Sequence, residues 1–192
     1  MELFRLLERA ASGITFYIFP NVAHIDEEYI RAARRSDCRF VSVGLQSSDP
    51  AVARSVHRPV DTDRIRDAYA LMRRFDMAPQ VDLIYGFPGQ TPDSFSGDLR
   101  FLEEIGAESV LCSPLMVFPG TTLHDEREER ELALFPSPQN FGYCKDGGHR
   151  RHAALVAGVR ARRIAEEFPR TTLFLKESVS ASLCELLVDW EK

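Results

Sequence analysis

The sequence predicts an α/β fold, a partial (β/α) barrel of about four parallel strands with a mainly helical C-terminal extension. Two stretches, Phe40–Ser47 and Val81–Thr91, are apolar, end in polar residues or glycine, and precede helix-like segments. This order is typical of parallel α/β barrels, in which functional groups collect at the carboxyl ends of the strands. Strand and helix signals also alternate from Ile14 to Leu115 with short connections, which implies right-handed crossovers between parallel strands.

Each predicted element has a local cause. The strands are runs of β-forming residues at Ile14–Phe19, Arg39–Gly44, Gln80–Tyr85 and Ser109–Leu115. The helices between them begin at side chains that can accept backbone hydrogen bonds, namely Asp26, Asp61 and Thr91. Pro92, directly after Thr91, occupies a favoured first helical position.

The pattern changes near residue 123, so the sequence predicts a barrel-like unit at 1–123 and a helical extension at 124–192. The extension is predicted to hold a charged surface helix, a loop, a long helix, a strand and a final helix, at His124–Leu132, Phe135–Gly148, Arg150–Phe168, Thr171–Leu175 and Ser178–Trp190. We expect this tail to form a separate packing layer.

Four parallel strands leave two open sheet edges, which invite unwanted pairing. A full eight-stranded barrel takes about 250 residues, whereas this chain has 192. We therefore expect a missing N-terminal half, a partner chain or the tail to cover the edges.

Composition excludes several classes of protein. The net charge of −5 gives no general attraction to nucleic acid or anionic membranes. No segment approaches the roughly 18 continuous apolar residues of a membrane span. The four cysteines are widely scattered, which argues against a disulfide framework and favours the reducing cytoplasm.

Three side chains near predicted strand ends are candidates for binding. Gln46 offers amide donors and an acceptor, or it satisfies the backbone of its own turn. Asp82 interrupts a run suited to a buried strand, so either a ligand or an internal arginine ion pair must compensate its burial. Arg58 could grip a carboxylate or lie at the surface.

Two further motifs are weaker. The Gly86–Thr91 loop could hold an anion at the following helix N-terminus, or it is a tight turn with Thr91 as the cap. The stretch Tyr143–His152 contains one cysteine and two histidines, but its spacing matches no zinc pattern, and we predict no metal site.

Taken in order, four motifs resemble the radical S-adenosylmethionine (SAM) superfamily. They are Val43–Ser47, His57–Pro59, Val81–Pro92 and Pro119–Thr121. Their intervals are similar to those of the cobalamin-binding-domain branch and of the coproporphyrinogen-dehydrogenase-like (HemN-like) branch. The resemblance covers about Ile14 to Leu123.

The resemblance implies a (β/α) barrel that holds a [4Fe–4S] cluster and SAM, which is cleaved to a 5′-deoxyadenosyl radical. It places Gln46 and Arg58 near the methionyl carboxylate of SAM and Asp82 near the ribose hydroxyls. Backbone around Met116 would flank the adenine. Cobalamin is possible in full-length relatives.

The sequence departs from this family at the cluster site. The family's Cys-x3-Cys-x2-Cys motif is missing, and so is the glycine-rich segment after the family's second strand. Because the cluster ligands are thiolates, we expect the chain alone to be inactive. We expect a [4Fe–4S] cluster only if a missing N-terminal part supplies it.

Three hypotheses follow. The chain is a fragment or reduced relative that carries part of the SAM pocket, or a non-catalytic binding or assembly module on the same scaffold. The third is an ordinary barrel enzyme with Asp82 as the general base.

Overall fold

The computed structural model describes residues 2–10, 15–134, 142–144 and 172–175. The helices are α1 (Glu2–Ala10), α2 (Glu27–Arg35), α3 (Pro50–Ser55), α4 (Thr62–Arg74), α5 (Pro92–Glu104) and α6 (Thr122–Asp125). The strands are β1 (Phe16–Ile18), β2 (Cys38–Gln46), β3 (Ala78–Tyr85), β4 (Ser109–Pro114), β5 (Leu132–Leu134), β6 (Gly142–Cys144) and β7 (Thr172–Leu175). A short 3₁₀ turn spans Val22–His24.

The main sheet is parallel and has the order β1-β2-β3-β4-β7. The four parallel strands predicted from the sequence are confirmed, and so is their connection through helices.

β7 corrects one expectation about the tail. The strand predicted at Thr171–Leu175 is present, but it pairs with β4 as a fifth parallel strand, with Cys112 opposite Leu175. The tail therefore contributes to the sheet and is not only a separate packing layer. Pairing satisfies backbone groups along an edge of β4 that would otherwise be open. The predicted boundary at residue 123 stays a prediction.

The predicted caps begin the helices as expected. Asp26 accepts a hydrogen bond from Tyr29 N, and Asp61 accepts one from Arg64 N. Thr91 and Ser94 form a reciprocal capping box at the start of α5.

The sheet has two different faces. In β3, buried residues alternate with half-buried ones, so Val81 and Leu83 lie in the core while Asp82 lies on the other face. Side chains from the helices, including Ile30, Met72 and Leu99, complete the core. β3 therefore has one fully buried face against the helices and one half-buried face that carries Asp82, and it is not fully buried on both sides.

The segment after α6 differs from the prediction. The helix predicted at His124–Leu132 is wrong beyond Asp125, because the chain makes a turn and then β5. Leu132 is buried in a small apolar cluster with Phe87 and Leu115, so tertiary packing overrides the helical pattern. β5 pairs antiparallel with β6, which lies inside the predicted loop. The helices predicted at 150–168 and 178–190 lie outside the described residues.

No helix in the described ranges combines the length and the apolar character that crossing a bilayer requires.

Candidate functional site

Gln46 ends β2 in a backbone conformation that few residues adopt. Its φ is +67°, in the left-handed region that costs a side-chain-bearing residue free energy. The pairing with β3 shifts here, from Gly44 opposite Asp82 to Gln46 opposite Leu83. Such a bulge re-aims a side chain and is common beside functional sites.

The side chain of Gln46 forms no hydrogen bond within the described part of the chain. The turn after it is held by other groups, because Ser47 N donates to Leu45 O at 2.9 Å and Asp98 accepts from Ser47 and Ser48. The alternative that Gln46 serves only to satisfy its own turn is therefore wrong.

Arg58 is placed by the end of α3. His57 has a φ of +55° and donates from its backbone to Arg54 O at 3.0 Å, while Arg58 N donates to Ala53 O at 2.9 Å. These two bonds form a Schellman motif, which fixes the direction in which the chain leaves the helix. The exposed guanidinium of Arg58 has no hydrogen-bond or ion-pair partner among residues 2–10, 15–134, 142–144 and 172–175.

Gly44 is the point where Gln46 and Arg58 meet. A Cβ at position 44 would lie 2.7 Å from Gln46 Nε2 and 3.1 Å from Arg58 Nη2. Both polar groups thus occupy the space above a residue without a side chain. The structure brings together two of the residues that the sequence singled out, 12 positions apart.

Asp82 lies opposite Gly44 on the next strand. Ser42 Oγ donates a hydrogen bond to Asp82 Oδ2, so Asp82, Ser42 and Gly44 share one face of the sheet. Asp82 Oδ1 is buried and has no hydrogen-bond partner among the described residues. Burial raises the pKa of Asp82, and the Ser42 hydrogen bond opposes that change.

No arginine forms an ion pair with Asp82 in the ranges the structure describes, so the alternative of an internal ion pair is not supported there. A buried carboxylate oxygen without a partner is costly unless a ligand donates to it.

A cavity of about 590 Å³ opens beside these residues, a volume within the range of small-molecule sites. It lies between the segment after β1, the end of β2 and the start of α4, and its lining includes Phe19, Gly44, Arg58, Val60 and Ile65. Arg64 also borders it, but that guanidinium donates to three backbone carbonyls, the shortest contact being 2.7 Å to Ile25 O.

The predicted site residues are not all equivalent in this geometry. Arg58 lines the cavity, whereas Gln46 and Asp82 do not line it and lie next to its Gly44 wall. Met116 is half-buried just after β4, two strands away from β2.

The Gly86–Thr91 loop behaves as a tight turn. The amides of Gly86 and Phe87 donate to Gln90 Oε1 at 2.8 and 3.3 Å, and Thr91 caps α5. These amides are therefore already engaged, which supports the alternative of a tight turn with Thr91 as the cap, and the anion site at the start of α5 stays a prediction.

Sequence reasoning missed a buried polar cluster centred on Asp98, which is 0% exposed. Its carboxylate accepts from Ser47, Ser48 and Gln90. A signal was present, since Asp98 lies on the apolar stripe of α5 between Phe95 and Leu102.

The described residues do not fit an iron–sulfur cluster. No group of three or more potential metal ligands occurs among them. Cys38 and Cys112 are free and lie in the apolar core, where burial raises the pKa of both thiols and disfavours the thiolate that binds iron. The side chain of Cys144 and the whole of Cys184 and His152 lie outside the part described.

Comparison with known proteins gives consistent results at the level of sequence family. The model of the radical SAM superfamily matches residues 1–102. The ribosomal protein uS12 methylthiotransferase RimO of Herpetosiphon aurantiacus is 31% identical over 119 residues, which cover 59% of this chain and 25% of that protein. The chain thus spans about a quarter of the length of that relative.

Solved structures agree on the fold. The radical SAM methyltransferase TsrM from Kitasatospora setae, solved with cobalamin and a [4Fe–4S] cluster bound, has a TM-score of 0.62 at 18% identity. The match covers 72% of this chain and 31% of TsrM. Methanocaldococcus infernus Elp3 has a TM-score of 0.66 at 12% identity and covers 99% of this chain and 45% of Elp3.

Proposed function

This chain belongs to the radical SAM superfamily, and on that premise we propose that the ends of β2 and β3 form part of a SAM pocket used for radical chemistry. The observation that carries the proposal is the group around Gly44. Within the described residues, a guanidinium, an amide and a buried carboxylate oxygen, each without a hydrogen-bond partner, lie around one glycine in the wall of the cavity.

Gln46 and Arg58 suit the methionyl carboxylate of SAM. A guanidinium and an amide N–H₂ above the same glycine offer converging donors to one anionic group. Because neither side chain has a partner within the described residues, binding of a carboxylate breaks no existing hydrogen bond there.

Asp82 suits the ribose of SAM. Its Oδ2 accepts from Ser42, and its Oδ1 is left as an acceptor for a hydroxyl. A ribose diol donates hydrogen bonds of the kind that a desolvated carboxylate oxygen requires. Met116, beyond β4, is our candidate for backbone contact with the adenine.

When bound, SAM supplies the adenosyl group that this family converts to a radical. The residues described here bind and orient that molecule. The described cysteines do not fit a [4Fe–4S] cluster, so we derive no step through one, and we propose that a missing N-terminal half or a partner chain provides it.

The edge of the sheet at β1 supports a partner on that side. Phe19 is 71% exposed, Phe40 is 51% exposed and Tyr17 is 40% exposed, and β1 has a strand on only one side in the sheet as described. Exposed aromatic residues next to an unpaired strand are typical of a surface that is covered in an assembly.

Calorimetric titration with SAM, methionine and adenosine tests the pocket. We expect Arg58→Ala to weaken the binding of SAM and of methionine by about 10- to 100-fold and to leave adenosine binding unchanged, since one charged contact is worth roughly 1.5–3 kcal/mol. Asp82→Asn is expected to weaken the binding of SAM and of adenosine and to leave methionine binding unchanged.

Arg54→Ala and Asp67→Asn are the matched controls, because both side chains are exposed and neither lines the cavity. Equal effects of Arg58→Ala and Arg54→Ala, or tight SAM binding by both site variants, would contradict the proposal.

The second candidate is a non-catalytic binding or assembly module on the same scaffold. The burial of Cys38 and Cys112 in the core favours it, because neither is available to hold a cluster. If the chain is such a module, calorimetric titration with SAM is expected to give no heat of binding. If the chain is instead an ordinary barrel enzyme with Asp82 as the general base, the same titration is expected to detect binding of sugar phosphates.

A further inference from the structure

Asp98 joins α5 to the loop that follows β2. Its Oδ1 accepts from the backbone amide of Ser48 and from Ser48 Oγ at 2.7 Å. Ser47 Oγ lies 3.1 and 3.2 Å from the two carboxylate oxygens. The carboxylate is therefore bound to both residues that directly follow Gln46.

Gln90 extends the same network to the loop after β3. Its Nε2 donates to Asp98 Oδ2 at 3.4 Å and to Ile84 O at 3.3 Å, while its Oε1 accepts from Gly86 N at 2.8 Å. Asp98, Ser47 and Gln90 are each 2% exposed or less. One buried carboxylate thus ties together two strand-end loops.

The network bears on Gln46 because that residue is held in an unfavourable backbone conformation. A left-handed φ persists only where surrounding contacts fix it. Ser47 N donates to Leu45 O across Gln46, and the next anchors along the chain are the bonds to Asp98. Without those bonds, the backbone at Gln46 is free to relax and the amide leaves its place above Gly44.

We propose that Asp98 is a positioning residue, which holds Gln46 above Gly44 through Ser47 and Ser48 and so sets the affinity for the SAM carboxylate. This inference rests on the proposed function. Asp98 does not line the cavity and is not a catalytic residue.

The charge at Asp98 is stabilised by hydrogen bonds, since no salt bridge to it forms among the described residues. The titratable groups that act on it are Asp49 at the start of α3 and Cys112 on β4. Asn at position 98 keeps the shape but replaces one acceptor oxygen with a donor, which opposes the donors of Ser47, Ser48 or Gln90.

The test uses Asp98→Asn with Leu99→Val as the control, because Leu99 is the adjacent core residue on α5. We expect amide hydrogen exchange at Ser48 to accelerate by about tenfold or more in Asp98→Asn only. Should Asp98→Asn fail to fold, Ser48→Ala removes one bond to the carboxylate and is expected to give a smaller acceleration.

A double-mutant cycle on SAM affinity gives the readout that loss of stability alone would not move. We expect Asp98→Asn to weaken SAM binding by about tenfold in the native background. When Gln46→Ala is already present, we expect it to weaken SAM binding by less than about twofold. Equal weakening in both backgrounds, or unchanged exchange at Ser48, would overturn the positioning role.

The two proposals fail differently. If the unaltered chain does not bind SAM, the proposed function is wrong, and the part of Asp98 in it falls as well. If SAM binds and responds to Arg58→Ala but not to Asp98→Asn, only the positioning role is wrong.

Discussion

Gly44→Ala is the most informative single change, because it is expected to separate ligand binding from stability. The new Cβ would lie 2.7 Å from Gln46 Nε2 and 3.1 Å from Arg58 Nη2. Ordinary van der Waals contact begins at 3.4 Å, so the amide must move by about 0.7 Å and the guanidinium by about 0.3 Å. Both atoms are the far ends of flexible side chains and can yield without moving the backbone.

The expected effects on stability and on binding have opposite signs. Gly44 is not among the residues with positive φ, so alanine fits its backbone and stabilises the fold by about 0.4–1 kcal/mol through the unfolded state. Displacing two donors from one carboxylate is expected to cost roughly 1.5–3 kcal/mol of binding free energy. That corresponds to a loss of about 10- to 100-fold in SAM affinity.

Calorimetry with SAM and urea denaturation measure the two quantities. Gly97→Ala on α5 is the matched control, because a Cβ there meets no atom within 4 Å. It is expected to raise the free energy of unfolding and leave SAM affinity unchanged. Native SAM affinity in Gly44→Ala would refute the arrangement of Gln46 and Arg58 described here, and so would a loss of stability in that variant alone.

Three further predictions concern charge and iron. Burial raises the pKa of Asp98 from 3.8 to about 6. The native state is therefore favoured at low pH, and this stability is lost between about pH 4 and pH 6, by roughly 3 kcal/mol in all. About half of that loss falls between pH 5 and pH 7.5, where urea denaturation should show it, and Asp98→Asn should remove the slope. Asp82→Asn is expected to raise the melting temperature at pH 7.5 while it weakens SAM binding. Burial also raises the pKa of Asp82, so the ionised carboxylate is unfavourable in the folded state and its removal should be stabilising; a lower melting temperature would contradict this. The chain purified alone is expected to contain no stoichiometric iron, because its four cysteines lie far apart in sequence; iron and sulfide analysis that finds a [4Fe–4S] cluster would show the reasoning to be wrong.

Local chemistry made much of this fold predictable. Asp26, Asp61 and Thr91 begin their helices as expected, because capping depends on side chains within three residues of one another. The four strands were recognisable from β-forming runs, and short connections between strand and helix allow few topologies other than a parallel sheet. Gln46, Asp82 and Arg58 stood out as polar residues near strand ends.

Contacts between distant residues were beyond the reach of such patterns. Only the tertiary structure pairs β7 with β4, 63 positions earlier in the chain, and only burial of Leu132 with Phe87 ends the helix predicted from His124. Likewise, only the tertiary structure shows that the Gly86 and Phe87 amides both donate to Gln90 Oε1.

The sequence by itself therefore determined the fold class, the superfamily and the residue types available for a site. The tertiary structure decided which of these residues meet: Gln46 and Arg58 above Gly44, Asp82 beside them, and Asp98 beneath the loop that carries Gln46. The physical reason is one of range. Caps and periodicities are set by neighbours in sequence, whereas burial and the pairing of donors with acceptors depend on groups that only the folded chain brings within a few ångströms.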